Sequence, residues 1–200
     1  MRRLVIATTN PGKAREIARM LSDLPFEVRS LSDYPPMPEP EEIGATFEQN
    51  AGIKALAAAN HTGELALADD SGLVIDALGG APGIHSSRFA GEGASDEERN
   101  AKVLELMKDV PDDERTARFT AAAAVAEPGR LIGTVEGTVE GRIVREPRGK
   151  NGFGYDPIFC VPKLGRTAAE LLPEEKDRIS HRGKALAAAK ELLRRLTRSW

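Results

Sequence analysis

The sequence is poor in the residues that build disulfide-linked, zinc-binding or membrane-spanning proteins. Its one cysteine, Cys160, excludes an internal disulfide and suits a reducing cytoplasm. Cys160 lies in the apolar run 157–161, which predicts a buried structural thiol. No Cys/His ligand set is apparent among three histidines. No signal-peptide layout precedes the first strand, and no apolar run reaches the ~18–20 residues that span a bilayer. We therefore expect a cytoplasmic protein with no membrane partner.

Basic and aromatic residues are also scarce. Lys and Arg number 28 against 31 Asp and Glu, a formal charge of −3 that gives no basis for a nucleic-acid surface. A basic site could still exist locally. Aromatic residues make up only 4% of the chain and apolar residues 40%, so we expect a core of aliphatic side chains. A length of 200 residues predicts a single domain over residues 1–200, with room for two lobes.

The stretch from Leu65 to Asp76 is the most informative segment of the chain. It begins as an apolar strand and then presents Asp69, Asp70, Ser71 and Gly72 in succession. Buried carboxylates are costly unless they are paired or bind a metal. In an extended chain the two aspartates point to opposite faces. We therefore expect one to reach into a cleft and the other to form hydrogen bonds with the backbone. An ordinary strand-end turn is the alternative interpretation.

The first 24 residues predict a strand, a polar turn and a helix. The strand is expected over Leu4–Thr8, the turn over Thr9–Lys13 and the helix over Ala14–Leu24. Free N–H groups at a helix start favour an anion, and Lys13 adds a positive charge. A triphosphate is the expected guest. The turn matches neither standard glycine-rich phosphate motif, and a simple capped turn remains an alternative.

An acidic, proline-rich loop precedes the second helix. It covers Ser32–Gly44, and one of Glu41 and Glu42 could supply a metal oxygen alongside Asp70. Thr46 is a plausible N-cap for a helix that extends to about Ala59. On that helix Asn50 and Lys54 share one face, which indicates either a polar cleft or a lysine at the surface.

The second half of the chain has a different pattern. Strands over Ala117–Ala126 and Leu131–Val144 are expected to pair antiparallel, with Gly137 and Gly141 marking bulges or a bend. Phe153 lies between two glycines, where its ring could stack on a purine base or belong to the core. The last helix begins near Pro173 and is expected to break near Ser180, before polar donors at His181, Arg182 and Lys184.

These residues together indicate metal-assisted phosphoryl or nucleotidyl chemistry. Paired carboxylates without a Cys/His set favour Mg²⁺, which is typically held by one or two carboxylates and by substrate phosphates. Scattered cations would neutralise the remaining phosphate charge.

Six short motifs, in this order, resemble the inosine triphosphate pyrophosphatase (Ham1-like) family. They extend from Val5 to about Leu193, and each is modest alone but specific in combination. They are Thr8–Lys13, Phe47-x-x-Asn50-Ala51-x-x-Lys54-Ala55, Ala68–Leu73, Gly80-x-Pro82-Gly83-x-x-Ser86-x-Arg88, Gly152–Pro157 and Ser180–Arg182.

The resemblance implies an α/β fold with a central, mixed, elongated sheet flanked by helices, and two lobes with the active-site cleft between them. It also implies a homodimer and Mg²⁺-dependent hydrolysis of ITP, dITP and XTP to the monophosphate and pyrophosphate. Such an enzyme removes deaminated purines from the nucleotide pool.

The resemblance also implies the site. Asp70 would be the catalytic base and a metal ligand, and Glu41 or Glu42 would complete the metal site. Substrate-binding residues would be Thr8, Thr9, Asn10, Pro11, Gly12, Lys13, Lys54, Ser71, Phe153, Gly154, Tyr155, Asp156, Lys176, His181 and Arg182. A 6-oxo purine offers an acceptor where adenine offers a donor, so donors such as His181 and Arg182 would favour it.

Two other functions remain as alternatives. A related pyrophosphatase could act on pyrimidine triphosphates, which base selectivity would decide. A nucleotide-binding regulator would bind ITP without releasing pyrophosphate.

Overall fold

The computed structural model describes residues 2–197 and contains five helices and seven strands in that range. Short 3-10 turns occur between several of them. The helices are α1 (Pro11–Met20), α2 (Phe47–Thr62), α3 (Asp96–Leu106), α4 (Pro173–Ile179) and α5 (His181–Thr197). The strands are β1 (Arg2–Ile6), β2 (Phe26–Ser30), β3 (Leu65–Ile75), β4 (Thr116–Glu127), β5 (Arg130–Ile143), β6 (Phe159–Val161) and β7 (Arg166–Thr167). Within residues 2–197, no helix combines the length and apolar character needed to cross a bilayer.

The seven strands form one mixed sheet in the order β2-β1-β3-β4-β5-β6-β7. β1 is parallel to both β2 and β3, whereas β6 is antiparallel to β5 and β7. β4 and β5 are neighbours joined through Pro128 and Gly129, a connection too short for anything but an antiparallel pair. The expected mixed α/β fold is therefore confirmed.

The contacts divide the chain into two compact units. The first contains the residues up to Asp70, Ala121–Gly137 and the chain from His181 onward; the second contains Ser71–Thr120 and Thr138–Ser180. The first unit has two aliphatic clusters. Alternate residues of β3, Leu65 and Leu67, pack with residues of α1 and α5, whereas Ala66 and Ala68 pack with residues of α2. The strand therefore presents each of its faces to a different set of helices.

The second unit has its own core around Phe159. The Phe159 ring lies 4.3 Å from that of Phe119 and is fully buried, as are Leu73, Ile75 and Ile158. Cys160, in the short strand β6, is only partly buried, so the prediction of a buried thiol was wrong. The reason is that successive side chains of a strand point to opposite sides, and Phe159 takes the core side.

Several boundaries differ from the prediction. α1 begins at Pro11 rather than Ala14, because Asn10 caps it and a proline suits the first helical position. β3 does not stop at the aspartates but continues to Ile75, where a 3-10 turn follows it. The helix break at Ser180 is confirmed, since Ser180 caps α4 and α5 begins at His181.

Gly137 and Gly141 allow close packing, and β5 runs through both of them as one continuous strand without a bend. A Cβ at Gly137 would collide with the backbone of α5, at His181 O and, 2.5 Å away, at Ala185 N. A Cβ at Gly141 would collide with the ring of Phe159. The expectation of a bend at these glycines was wrong, because glycine in a strand serves close approach as readily as distortion, whereas the expectation of bulges stays a prediction.

Candidate active site

Asp69 lies at the centre of a buried cluster of charges. Its exposed fraction is 2%, and it forms ion pairs with Lys13 Nζ at 2.8 Å and with Arg182 Nε at 3.2 Å. Arg182, itself 3% exposed, also binds Glu16 at 2.6 Å. Asp69 faces α1 and α5 because it has the parity of Leu65 and Leu67 along β3. The cluster therefore ties β3 to the starts of both helices.

The charges of this cluster stabilise one another. Burial alone would raise the pKa of Asp69, but Arg182 and Lys13 outweigh it and hold that pKa well below the usual range. Burial lowers the pKa of Arg182, but the carboxylates of Asp69 and Glu16 more than offset this and raise it. Burial lowers the pKa of Lys13, which Asp69 only partly opposes. Asp69 is therefore an ionised structural anchor and a poor proton acceptor.

Asp70 points to the other face of β3, as expected for adjacent strand residues. Its Oδ1 accepts from Lys54 Nζ at 2.7 Å, and the same ammonium lies 3.1 Å from Glu42 Oε1. Its Oδ2 is buried, and no hydrogen-bond partner reaches that oxygen from residues 2–197. Burial raises the pKa of Asp70 above its ordinary value, although Lys54 opposes it. A carboxylate with a raised pKa and an unused oxygen is suited to accept a proton or bind a cation.

Lys54 joins the acidic loop to β3. Burial lowers its pKa, but Asp70 and Glu42 outweigh this effect, so the pKa is raised overall and the lysine stays charged. Of the alternatives for this lysine, the structure supports the polar site over a surface position. Asn50, one turn earlier on α2, accepts from Gly44 N at 2.8 Å and is 1% exposed. Asn50 and Lys54 thus hold the end of the acidic loop in place, Asn50 through Gly44 and Lys54 through Glu42.

Glu41 and Glu42 have different surroundings. The side chain of Glu41 is exposed, whereas Glu42 is half-buried against Lys54. Within residues 2–197, no group of three or more His, Cys, Asp or Glu side chains comes together as a metal site. Glu42 and Asp70 are thus a two-carboxylate set, which is the number that Mg²⁺ commonly takes from a protein when substrate phosphates supply other ligands.

The polar turn before α1 has a defined conformation. Thr8 Oγ1 accepts from Asn10 N at 3.1 Å, and Asn10 Oδ1 accepts from Lys13 N at 3.0 Å. Thr9, Asn10 and Pro11 are exposed, whereas Gly12 is buried beneath them. The turn therefore presents polar groups at the helix start, and Lys13 reaches from it to Asp69.

In the second unit, Phe153, Asp156 and Lys176 form a compact group. Lys176 Nζ donates to Asp156 Oδ2 at 2.6 Å and lies 4.9 Å from the centre of the Phe153 ring. Asp156 Oδ2 also accepts from Phe153 N at 3.0 Å. Gly152 has φ of 74°, and a Cβ there would collide with the Asp156 carboxylate. The nearby Tyr155 hydroxyl donates to Ser86 O at 2.7 Å.

Three further site predictions have these positions. Ser71 follows Asp70 in β3 and is half-buried. His181 and Arg182 are both buried in the first turn of α5, where Arg182 binds Asp69 and Glu16. Glu16 was missed in the sequence because a single acid on a helix resembles a solvated surface residue. Its spacing of three from Lys13, on one face of α1, was the available signal.

Comparisons with known proteins identify the family. The model of the Ham1 family matches residues 4–192. The chain is 56% identical to a dITP/XTP pyrophosphatase of Desulforamulus reducens over 97% of this chain and 96% of the relative. It is 55% identical to one of Geobacter sulfurreducens over 96% and 97%.

The solved structures give the same result. A HAM1 protein from Coxiella burnetii superimposes with a TM-score of 0.87 and 48% identity, covering 98% of this chain and all of the other. The Staphylococcus aureus Ham1 protein gives 0.85 and 40%, covering 96% and 98%. With the six motifs and nearly the whole chain matched, this protein belongs to the Ham1 family.

Proposed function

We propose that this protein is a nucleoside triphosphate pyrophosphatase that hydrolyses dITP, ITP and XTP to the monophosphate and pyrophosphate. The observation that carries the proposal is that two adjacent aspartates, on opposite faces of β3, have different surroundings. Asp69 is neutralised by Lys13 and Arg182, whereas one buried oxygen of Asp70 has no hydrogen-bond partner among residues 2–197. The high identity to proteins named dITP/XTP pyrophosphatase supports the choice of substrates. The reaction would remove deaminated purines from the nucleotide pool.

Asp70 is the proposed general base. Hydrolysis breaks the anhydride bond between the α- and β-phosphates, and the attacking water must lose a proton. Asp70 Oδ2 is the proposed acceptor, and the raised pKa of this carboxyl makes it a stronger base than an exposed aspartate. Lys54, which binds the other oxygen of Asp70, fixes the carboxylate and adds positive charge for the phosphates.

A divalent cation fits the residues present, and we propose Mg²⁺. Glu42 and Asp70 both contact Lys54, and they would be its protein ligands together with oxygens of the substrate. When bound, the cation would neutralise phosphate charge and polarise the anhydride. Glu42 is preferred over Glu41 because only Glu42 contacts the lysine that also binds Asp70.

The remaining residues are assigned to phosphate and base. The turn Thr8–Lys13 would bind the phosphates with its helix-start N–H groups and polar side chains, and Lys54 and Ser71 would assist. Phe153–Asp156, Lys176 and His181 would bind base and sugar. We assign Arg182 to holding Asp69 in place, since its guanidinium binds two carboxylates. A single domain over residues 1–200, a homodimeric assembly and a cytoplasmic location complete the proposal.

The test is a product analysis with six nucleotides. The protein is incubated with ITP, dITP, XTP, ATP, GTP and dTTP, with Mg²⁺ or with EDTA, and the products are separated. We expect monophosphate and pyrophosphate from the first three, little product from the others, and none in EDTA. Asp70→Asn should lower kcat on the order of a hundredfold or more while dITP still binds.

Other outcomes lead to other functions. Release of orthophosphate and a diphosphate would contradict the cleavage position. Preference for dTTP would favour the pyrimidine-specific enzyme. Binding of ITP without turnover, unchanged by Asp70→Asn, would favour the regulator.

A further inference from the structure

The loop from Gly152 to Asp156 contains two glycines in a backbone conformation that other residues rarely adopt. Gly152 and Gly154 lie on either side of Phe153, with φ of 74° and 64°. Both values are in the left-handed region that glycine adopts freely, and glycine has many other conformations available to it. When a ligand has to order a flexible loop, the entropy cost of that ordering weakens binding. The conformation of this loop before binding therefore depends on what holds its peptide groups.

Two side chains of α3 hold the peptide groups of Gly154. Gly154 N donates to Asp96 Oδ2 at 2.6 Å, and Asn100 Nδ2 donates to Gly154 O at 3.1 Å. Asp96 and Asn100 are four residues apart and therefore share one face of the helix. Arg99 binds Asp96 and donates to Ser87 O at 3.0 Å, which fixes the start of α3. Both hydrogen-bonding groups of residue Gly154 are thus bound by one rigid element.

Asn100 makes this contact at a cost to folding. The residue is 5% exposed, and its Oδ1 is buried with no hydrogen-bond partner among residues 2–197. The orientation of the amide follows from its neighbour, because Nδ2 must face the carbonyl oxygen of Gly154. An unsatisfied buried oxygen destabilises a protein, so stability alone does not account for an amide here. The bond to Gly154 does.

We propose that Asp96 and Asn100 are positioning residues for base recognition. By binding the Gly154 peptide groups, they hold Phe153 and Asp156 in the arrangement that Lys176 completes, before any nucleotide arrives. This inference rests on the proposed role of the loop in binding the base. Asp96 and Asn100 act through Gly154 and are not themselves assigned a contact with substrate.

The experiment measures kcat and KM for dITP and dGTP in Asp96→Ala, Asn100→Leu and the wild-type protein. Glu97→Gln is the matched control, since it removes an exposed acid from the same first turn of α3. Each test variant should raise KM for dITP about tenfold, the value of one hydrogen bond, with kcat within about twofold. The preference for dITP over dGTP should fall by a similar factor. The control should match the wild type in all of these.

The melting temperature separates positioning from a merely structural role. Asn100→Leu removes both the unsatisfied oxygen and the donor to Gly154 O, two effects that oppose each other, so we expect a melting temperature close to that of the wild type while KM rises. A lower melting temperature with unchanged KM and selectivity would overturn the proposal, as would a fall in kcat alone. Wild-type protein that binds dITP without turnover would overturn the proposed function instead. The dissociation constant would then be the readout, with the same tenfold weakening expected in the variants.

Discussion

At the scale of single residues, neighbours in sequence have opposite chemical roles. Asp69 and Asp70 are both buried, but within the described residues 2–197 Asp69 is neutralised by two cations, whereas Asp70 pairs with Lys54 and keeps one oxygen without a hydrogen bond. The pKa of Asp69 is lowered and that of Asp70 is raised. Two carboxyl groups with pKa values shifted in opposite directions can divide structural and proton-accepting roles.

The stability of the protein should report the ionisation of Asp69. Asp69→Asn should lower the free energy of unfolding by about 3–5 kcal/mol at pH 7, because it removes the buried negative charge that pairs with Lys13 and Arg182. The pKa of Asp69 is lower in the folded protein than in the unfolded chain, so its stabilising effect is complete above about pH 5 and is lost as pH falls below about 4.

Urea unfolding of both proteins between pH 3 and 7 measures this effect. The difference in unfolding free energy should be constant above about pH 5 and should shrink below about pH 4. Because Asp70 is present in both proteins, its titration cancels from the difference in unfolding free energy. A difference that grows towards acid pH would mean that Asp69 is protonated in the folded state.

The two glutamates of the acidic loop should differ in their effect on metal dependence. Glu42→Gln should raise the Mg²⁺ concentration for half-maximal activity on the order of tenfold or more, because a carboxylate ligand is lost. Glu41→Gln, one residue away and exposed, should leave it unchanged. Magnesium titration of dITP hydrolysis measures both, and the reverse pattern would assign the metal to Glu41.

At the scale of elements, the close contact of β5 with α5 positions the start of that helix. Glycine is the residue type that fits at position 137, because the Cβ of any other residue would collide with backbone atoms of His181 and Ala185. Gly133, four residues earlier in the same strand, has room: a Cβ would lie 3.4 Å from Leu192 Cδ1. The two glycines therefore provide a matched pair.

Gly137→Ala should destabilise the protein, and Gly133→Ala should not. We expect a loss of about 2–3 kcal/mol for Gly137→Ala, with reduced activity, because α5 carries His181 and Arg182 on its displaced first turn. Thermal and urea unfolding, followed by dITP hydrolysis, would measure this. Equal effects of the two variants would show that backbone contact at Gly137 is unimportant.

Local patterns predicted the elements well where apolar spacing and caps coincide. Thr46 caps α2, Ser180 separates α4 from α5, and β4 and β5 agree with the predicted spans to within one residue at each end. Contacts between distant residues were not predictable in this way. Glu16 meets Arg182, and Asp96 meets Gly154, only after folding, since nothing in the spacing of either pair marks it. The roles assigned by the family resemblance stay predictions.

At the scale of the whole molecule, one sheet contains every strand of residues 2–197, yet contacts divide the chain into two units. Three strands, β3, β4 and β5, contribute residues to both units. The units therefore share continuous backbone at three places in the sheet, which links their folding.

We expect unfolding in a single cooperative transition. Differential scanning calorimetry should give a calorimetric enthalpy equal to the van't Hoff enthalpy, and circular dichroism should follow the same midpoint. Two resolved transitions would show that the units unfold independently and would contradict the single-domain proposal.

Because side chains alternate between the two faces of β3, this strand is sensitive to the deletion of a single codon. β3 is registered against β1, with Leu4 opposite Leu65 and Ile6 opposite Leu67. Deleting one codon from the apolar part of β3 would leave every other amino acid unchanged, yet it would exchange the faces of Asp69 and Asp70 if that register were kept. The proton acceptor would then face Lys13 and Arg182, and its former place would hold the hydroxyl of Ser71. In this strand, the number of residues that precede Asp70 matters as much as their identity, because it decides which face of the sheet the carboxylate occupies.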